Sequence, residues 1–466
     1  MRFILHRAFQ ALVVNGSLTA EWPDGTTTSY AASEPGPSVR IAFRTDEAVR
    51  RITLNPNLAM GECYMDGSFV PGAGTTLYAF VDALFGWMMS GGRLPMERAL
   101  ASAGRLAKPL MQMNPARRSR RNVAHHYDLN GQLYAMMLDP DMNYSCAYFP
   151  TGTETLAEAQ RAKQHHIARK LLLDRPGLEV LDIGCGWGGM ALTLARDYGA
   201  RVTGVTLSTE QLGRARARAQ EEGLADRVRF ELADYRRVRG TFDRVVSIGM
   251  FEHVGVPQYR TFFNTVYRLL VPGGVALLHS IGRSDGPGST NPWLRKYIFP
   301  GGYSPAVSEV VPPMEKSGLT MTDLEIWRMH YAQTLRHWRA NFDRNRAAIQ
   351  AMYDARFVRM FELYLIGSEL AFRRERHMVM QMQLARPPET VPLSRNYMYP
   401  VIHSYPQDVA LPQPPRPEYG AGDDEHHHEP AAARVALAGP VPAPAALQPA
   451  GGAGAAGRAA REQPRL

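Results

Sequence analysis

The sequence predicts an α/β protein. A mostly parallel sheet is covered by helices on both faces, with a small mixed domain before it and a disordered tail after it. Three observations carry this expectation. Between about residues 125 and 388, apolar β-branched runs alternate with helix-period segments, the pattern of parallel strands joined by crossover helices. The turn VLDIGCGWGG, Val180 to Gly189, joins one such run to a helical segment through closely spaced glycines. From about residue 405 the composition shifts to Pro, Ala and Gly, which cannot bury enough apolar surface to offset its ordering entropy.

In chain order, residues 1–110 read as the small domain: β-like pieces VRIAFR and RITLNP, turn signals PDG and PGAG, then an apolar helical stretch from Leu77 to Met89. Residues 111–404 read as the main domain, which opens on the basic run ARRSRR, Ala116 to Arg121. LEVLDIG is its first buried strand and GMALTLARDYG the helix that follows. RVTGVTLS is a second strand, and TEQLGRARARAQEEG a helix with Ser208 or Thr209 as its N-cap. VRFELAD, DRVVSIG and GVALLHSIG are the third to fifth strands. Residues 405–466 are the tail, where His426 to His428 read as a solvated run rather than a metal site.

Composition narrows the function. The 466 residues are 45% hydrophobic, yet no apolar run reaches the roughly 18 to 20 residues of a spanning helix. His6 and Arg7 interrupt the N-terminus where an export signal needs apolar residues. Cys63, Cys146 and Cys185 are too few for a disulfide framework and lack metal-site spacing, so a cytoplasmic protein without a metal is expected. The formal charge of +9 suits nucleic acid, an anionic membrane or an acidic substrate. No nucleic-acid-binding module is evident, so nucleic acid is not an expected partner.

Gly184, Gly186 and Gly189 satisfy the spacing G-x-G-x-x-G. Two details steer away from a nicotinamide dinucleotide. Asp182 precedes the first glycine by two, and the second strand ends in Val-Thr-Leu-Ser, with no acid for a ribose diol. The D-x-G-x-G-x-G form from Asp182 to Gly188 is that of methyltransferases using S-adenosylmethionine. Asp234, after the third strand, stands where an adenine edge would lie. Glu252 poses a separate question. It follows the apolar strand DRVVSIG, where a buried unpaired carboxylate would cost several kcal/mol or take up a proton. Either Glu252 is exposed or something in a pocket needs it, and its place just past a strand's carboxyl end, where such sheets hold ligands, weakens the first reading.

Several stretches together resemble the cyclopropane-fatty-acyl-phospholipid synthase family: HYDLN, MNYSCAYF, VLDIGCGWGG, GVTLSTEQ, GMFEHVG, LLHSIG and KYIFPGG, in that order between residues 126 and 302. The resemblance implies a Rossmann-like class I methyltransferase with a seven-stranded sheet. It implies transfer of a methylene group from S-adenosylmethionine to the cis double bond of an unsaturated phospholipid chain. Carried over residue by residue, it puts the cofactor on Tyr144, Ser145, Asp182, Gly184, Gly186, Thr206, Leu207, Gln211, Asp234 and Tyr235. It puts bicarbonate, as the base, on Cys146, Glu252, His279, Ile281 through its backbone, and Tyr331.

Cys146 is expected to line the pocket rather than attack, since no base is paired with it. Tyr144, Phe149, Phe251 and Tyr331 are candidates to face a cation on the acyl chain, with core packing as the alternative for each. A homodimer, peripheral on the inner face of the membrane, is the implied assembly and place. Arg117, Arg118, Arg120 and Arg121, or the stretch Leu77 to Met89, would touch the lipid surface. The same site could instead give methyl-branched or methylene chains, or methylate a small amine.

Overall fold

In the computed structural model, residues 1–92 and 131–399 are described. The 110/111 boundary, Arg117, Arg118, Arg120, Arg121, the HYDLN stretch and the tail fall outside them. The N-terminal part holds α1 (Arg2–Leu12), β1 (Ser17–Glu21), β2 (Thr27–Ala31), β3 (Ser38–Phe43), α2 (Asp46–Leu54), α3 (Pro56–Asp66), β4 (Phe69–Pro71) and α4 (Leu77–Met89). Its sheet runs β2-β1-β3-β4.

RITLNP, expected as a β-like piece, is instead the end of α2 and the start of α3. Thr45 caps α2 by accepting from Ala48 N, and Asp46 and Glu47 complement the positive end of the helix. Burial of Ile52 and Thr53 then overrides their β preference. The apolar stretch Leu77–Met89 is the helix expected. Leu77, Phe80, Val81, Ala83, Leu84 and Trp87 are buried in the core of this part, so most of its apolar surface is already covered.

The second sheet runs β10-β11-β9-β8-β5-β6-β7. Its strands are β5 (Glu179–Ile183), β6 (Arg201–Thr206), β7 (Val228–Leu232), β8 (Phe242–Ile248), β9 (Leu270–Arg283), β10 (Thr320–Trp327) and β11 (His377–Arg386). β7, β6, β5, β8 and β9 are parallel, and β11 and β10 close one edge in antiparallel pairing. Strand order reverses between β5 and β8, the topological switch point where open α/β sheets hold ligands.

The helices are α5 (Gly131–Met137), α6 (Leu156–Lys170), α7 (Gly189–Tyr198), α8 (Thr209–Glu221), α9 (Tyr259–Leu269), α10 (Pro292–Tyr297), α11 (Val307–Glu315), α12 (His330–Arg344), α13 (Arg346–Met352) and α14 (Ala355–Arg374). Ser208, rather than Thr209, caps α8.

Both sheets belong to one compact unit. The seam between them is specific. Glu62 of α3 accepts from Lys296 Nζ (2.6 Å) and Tyr297 Oη (2.8 Å) of α10, and also pairs with Arg51 (2.6 Å). Trp293 Nε1 points at Met65 Sδ, 3.2 Å away. A Cβ on Gly61 would stand 2.5 Å from the Trp293 ring, so the indole needs a glycine beneath it.

Candidate active site

The crevice at the switch point is walled by the turns after β5 and β8. Gly184 has φ +84°, and a Cβ there would lie 2.8 Å from Met250 Cβ, so only glycine lets the two turns close. A Cβ at Gly186, φ +54°, would meet nothing within 4 Å, which leaves that backbone open to the cavity. The N–H groups of Gly184 and Cys185 both donate to Val205 O (2.9 and 3.1 Å), tying the glycine turn to the end of β6.

There Thr206 Oγ1 donates to Gln211 Oε1 at 2.8 Å, and Ser208 accepts from Gln211 N. Asp234, past β7, is gripped by the Arg236 guanidinium at 2.8 and 2.5 Å. Those bonds hold its carboxyl below the usual range, against the opposing pull of burial. From Tyr144 and Ser145 through the glycine turn to Asp234 and Tyr235, every cofactor position named from the sequence lines this one cavity.

Other lining residues escaped the sequence reading: Asn143, Lys163, Trp187, Arg236, Met250 and His253. Asn143 belongs to a loop held from both sides. Asp139 accepts from Asn143 N (2.9 Å) and Nδ2 (2.7 Å), while Gln160 of α6 donates to the carbonyls of Asn143 (3.2 Å) and Ser145 (2.9 Å). Lys163, one turn further on, is buried and donates to Ser145 Oγ at 2.9 Å. Burial pushes its ammonium down to about 8. The signal available in the sequence was the spacing of Gln160, Lys163 and Gln164, one polar face on a helix that packs against the sheet.

Glu252 sits on a single turn of 3₁₀ helix, Phe251–His253, just past β8. Its neighbour His253 lines the cofactor cavity, with burial pushing its imidazole down to about 4. Glu252 turns towards β9 instead. Its Oε1 accepts from Ile281 N at 2.7 Å, and its Oε2 is buried with no hydrogen-bond partner. Burial pushes this carboxyl up to about 7, against the downward pull of the Ile281 N–H.

The structure thus joins Glu252 to Ile281 directly, and the N–H expected to meet an anion is held by the carboxylate. His279 precedes Ile281 by two on β9. Its Nδ1 accepts from Gln381 Nε2 of β11 at 3.0 Å, which leaves the ring proton on Nε2. Burial holds this imidazole neutral.

Cys146 follows Ser145 and is buried beside Thr334 and Lys163, and burial drives its thiol far upward. A thiol in that state is a lining group and no nucleophile. Tyr331 belongs to an aromatic shell built by α12 and α14. Its ring packs on Phe372 (4.9 Å between centroids) and edge-on to Trp338 (5.8 Å). Trp338 stacks on Tyr144 at 4.9 Å, and Tyr144 Oη meets Tyr364 Oη at 2.6 Å. Phe251 faces elsewhere: it stacks on Tyr259 (4.2 Å) and packs against Phe262 and Phe263 in the core. Phe149 lies against His337 and His330.

The cavity fits the cofactor that the resemblance implies. Asp182 Oδ2 is a buried oxygen without a hydrogen-bond partner at the cavity wall, and burial pushes its carboxyl to about 7. With the open Gly186 backbone and the Thr206–Gln211 pair, it suits a ligand bearing an amino group and a ribose. For bicarbonate the fit is partial: Glu252 Oε2 is a buried acceptor without a partner, while the Ile281 N–H is already taken by Oε1. Among the described residues no His/Cys/Asp/Glu group has metal-binding geometry.

Fold and cavity together define a class I S-adenosylmethionine-dependent methyltransferase. Residues 114–382 match the mycolic acid cyclopropane synthetase family, and residues 4–70 match a domain of unknown function. The chain is 38% identical to the cyclopropane-fatty-acyl-phospholipid synthase of Escherichia coli K12, over 74% of this chain and 87% of that one. It is 36% identical to the tuberculostearic acid methyltransferase UfaA1 of Mycobacterium tuberculosis, over 79% of this chain and 88% of that one. Among solved structures, the cyclopropane synthase MmaA2 of Mycobacterium tuberculosis superposes with a TM-score of 0.55 at 33% identity, covering 59% of this chain and 99% of that one. The mycolic acid cyclopropane synthase CmaA1, solved with S-adenosylhomocysteine and CTAB, gives a TM-score of 0.54 at 33% identity, with the same coverage. The chain belongs to the cyclopropane synthase family.

Proposed function

We propose that the protein converts the cis double bond of unsaturated phospholipid acyl chains into a cyclopropane ring, with bicarbonate as the base. The observation that carries this reading is Glu252, a buried carboxylate with one oxygen fixed by Ile281 N–H and the other without a partner. When bound, S-adenosylmethionine supplies an electrophilic sulfonium methyl and bicarbonate a small anionic base.

The chain's own part is positional. Tyr144, Ser145 and the glycine turn hold the cofactor in the cavity, while Glu252 turns to the backbone of β9, the strand that also carries His279. Glu252 Oε2 can accept a hydrogen bond from a base's hydroxyl, and the His279 Nε2–H can donate to its oxygens. Tyr144, Trp338 and Tyr331 present aromatic surface that keeps water from a cation on the chain and favours its charge. Phospholipid as substrate puts the protein on a membrane surface as a peripheral enzyme. No helix among the described residues is long and apolar enough to cross a membrane.

A second reading has one specific support, the comparable identity to a tuberculostearic acid methyltransferase: the same site would give a methyl-branched or methylene chain. The test is incubation of the purified protein with S-adenosylmethionine, bicarbonate and unsaturated phospholipid vesicles, with the acyl chains read by mass spectrometry and proton NMR. A gain of one CH₂ with upfield ring-methylene protons is expected. The same mass gain with vinyl or methyl-branch signals favours the second reading, and no mass gain removes both.

A further inference from the structure

Lys163 has no part in the function as described, yet its setting is unusual. It lies at the inner face of α6, fully buried, and lines the cofactor cavity. An ammonium brings three donors. Ser145 Oγ takes one at 2.9 Å, and Asn143 Oδ1 stands at the limit of hydrogen bonding, 3.5 Å away. Both are neutral acceptors. Among the described residues no carboxylate forms an ion pair with it.

Of the acids near enough to act on its charge, Asp139 spends its oxygens on Asn143 and on Asp141 N. Asp182, the other buried acid at this wall, has an oxygen of its own without a partner. A fully buried cation without an anionic partner is costly, and the strain is relieved when a ligand brings the negative charge. Lys163 and Asp182 together offer one cation and one acid at a single cavity wall. That is the complement of an α-amino acid zwitterion.

Resting on the cofactor reading above, we propose that Lys163 is the anchor for the α-carboxylate of the methionine tail of S-adenosylmethionine. Ser145 Oγ accepts from the same ammonium, which leaves its proton free to donate to that carboxylate. The loop 143–145 is fastened to α6 by Gln160, Lys163 and Gln164, so the anchor and the loop that closes over the tail move as one piece. Without the ammonium, adenosine contacts at Thr206, Gln211 and Asp234 remain, while the tail loses its charged partner.

The shared chemistry, a carboxylate, also fits bicarbonate, because Cys146 of the expected anion site adjoins Lys163. Calorimetry separates the sources. For Lys163→Met, which keeps the aliphatic stem, affinity for S-adenosylhomocysteine should fall roughly thirtyfold, the scale of one charge-assisted contact. Affinity for 5′-methylthioadenosine, which lacks the amino acid tail, should change by less than about twofold, since no contact of the anchor is involved. Equal losses for both ligands, or none for the first, overturn the assignment.

The unmodified protein gives an independent reading. Decarboxylated S-adenosylmethionine should bind at least about tenfold more weakly than S-adenosylmethionine, and equal affinities overturn the assignment without any variant. If Lys163→Met instead raises only the bicarbonate concentration for half-maximal turnover, the anion is bicarbonate and the methionine tail is excluded. If the unmodified protein binds neither nucleoside, the cofactor reading itself falls, and this inference with it.

Discussion

Two regions meet at the carboxyl end of β8, and they are built in opposite ways. The cofactor cavity comes from short turns after successive strands, with much of its wall made of backbone and small residues. The shell beside it comes from large rings on segments far apart in the chain: Tyr134 and Tyr144 before β5, Trp187 in the glycine turn, and Tyr331, Trp338, Tyr364 and Phe372 on the C-terminal helices. Tyr144 and Trp187 belong to both regions. The first region can recognise a polar ligand through fixed hydrogen bonds. The second can only exclude water and offer ring faces. Glu252 and His253, adjacent in sequence, part company: His253 lines the cavity, while Glu252 turns away from it to the Ile281 backbone of β9.

The most severe break in this division is Glu252→Gln. Loss of the carboxylate should lower turnover on vesicles by about two to three orders of magnitude, the range for a positioned acid–base group. Affinity for S-adenosylhomocysteine, by calorimetry, should stay within about twofold, because the cavity is untouched. A parallel loss of affinity would show that the two regions are one.

The same substitution should stabilise the fold. The Glu252 carboxyl rises from its ordinary 4.5 to about 7, so between those values the native state holds a proton that the unfolded state has lost. Stability therefore falls as pH rises through that window, and the full deficit, about 3 kcal/mol, is present above it. Thermal melts should show Glu252→Gln more stable than the parent at pH 8, with the difference vanishing near pH 4.

A smaller, one-sided effect is expected in the shell. Trp338→Phe, which shrinks a fully buried ring stacked on Tyr144, should reduce turnover about tenfold and leave nucleoside affinity unchanged. Smaller still is Glu62→Gln at the seam. It leaves Lys296 without its carboxylate and Arg51 with only Asp66, and turnover should fall about threefold with a loss of stability near 1 kcal/mol, read from vesicle assays and denaturant melts.

The sequence disclosed the two regions unequally, for physical reasons. Glycine spacing, the Thr206–Gln211 stretch and Asp234 are local signals, because each lies in a turn whose neighbours in space are neighbours in the chain. All of the expected cofactor positions therefore fall on one cavity. Five of the seven strands follow from β-branched runs in the same way, whereas β10 and β11 were implied only by the resemblance. Lys163 was not legible, since a lysine at helical spacing reads as a solvated face until one knows that α6 turns it inward to Ser145. Nor was the opposition of Glu252 and His253, which depends on one turn of 3₁₀ helix. The shell was hardest to see. Tyr331 was placed only by the resemblance, and Trp338 and Tyr364 carry no signal apart from the packing of α12 on α14. RITLNP misled because burial, rather than propensity, decides its helix.

The contact at Gly61 has a consequence for the history of the chain. The two family matches, 4–70 and 114–382, look like separable modules, yet Gly61 lies in one and the indole it accommodates, Trp293, in the other. Any β-carbon at the first position collides with the second. Exchanging either module between homologues would therefore succeed only where donor and recipient already agree on this pair. The two modules fit as a lock and its key, and a chimera cut between them would expose a mismatch at this pair.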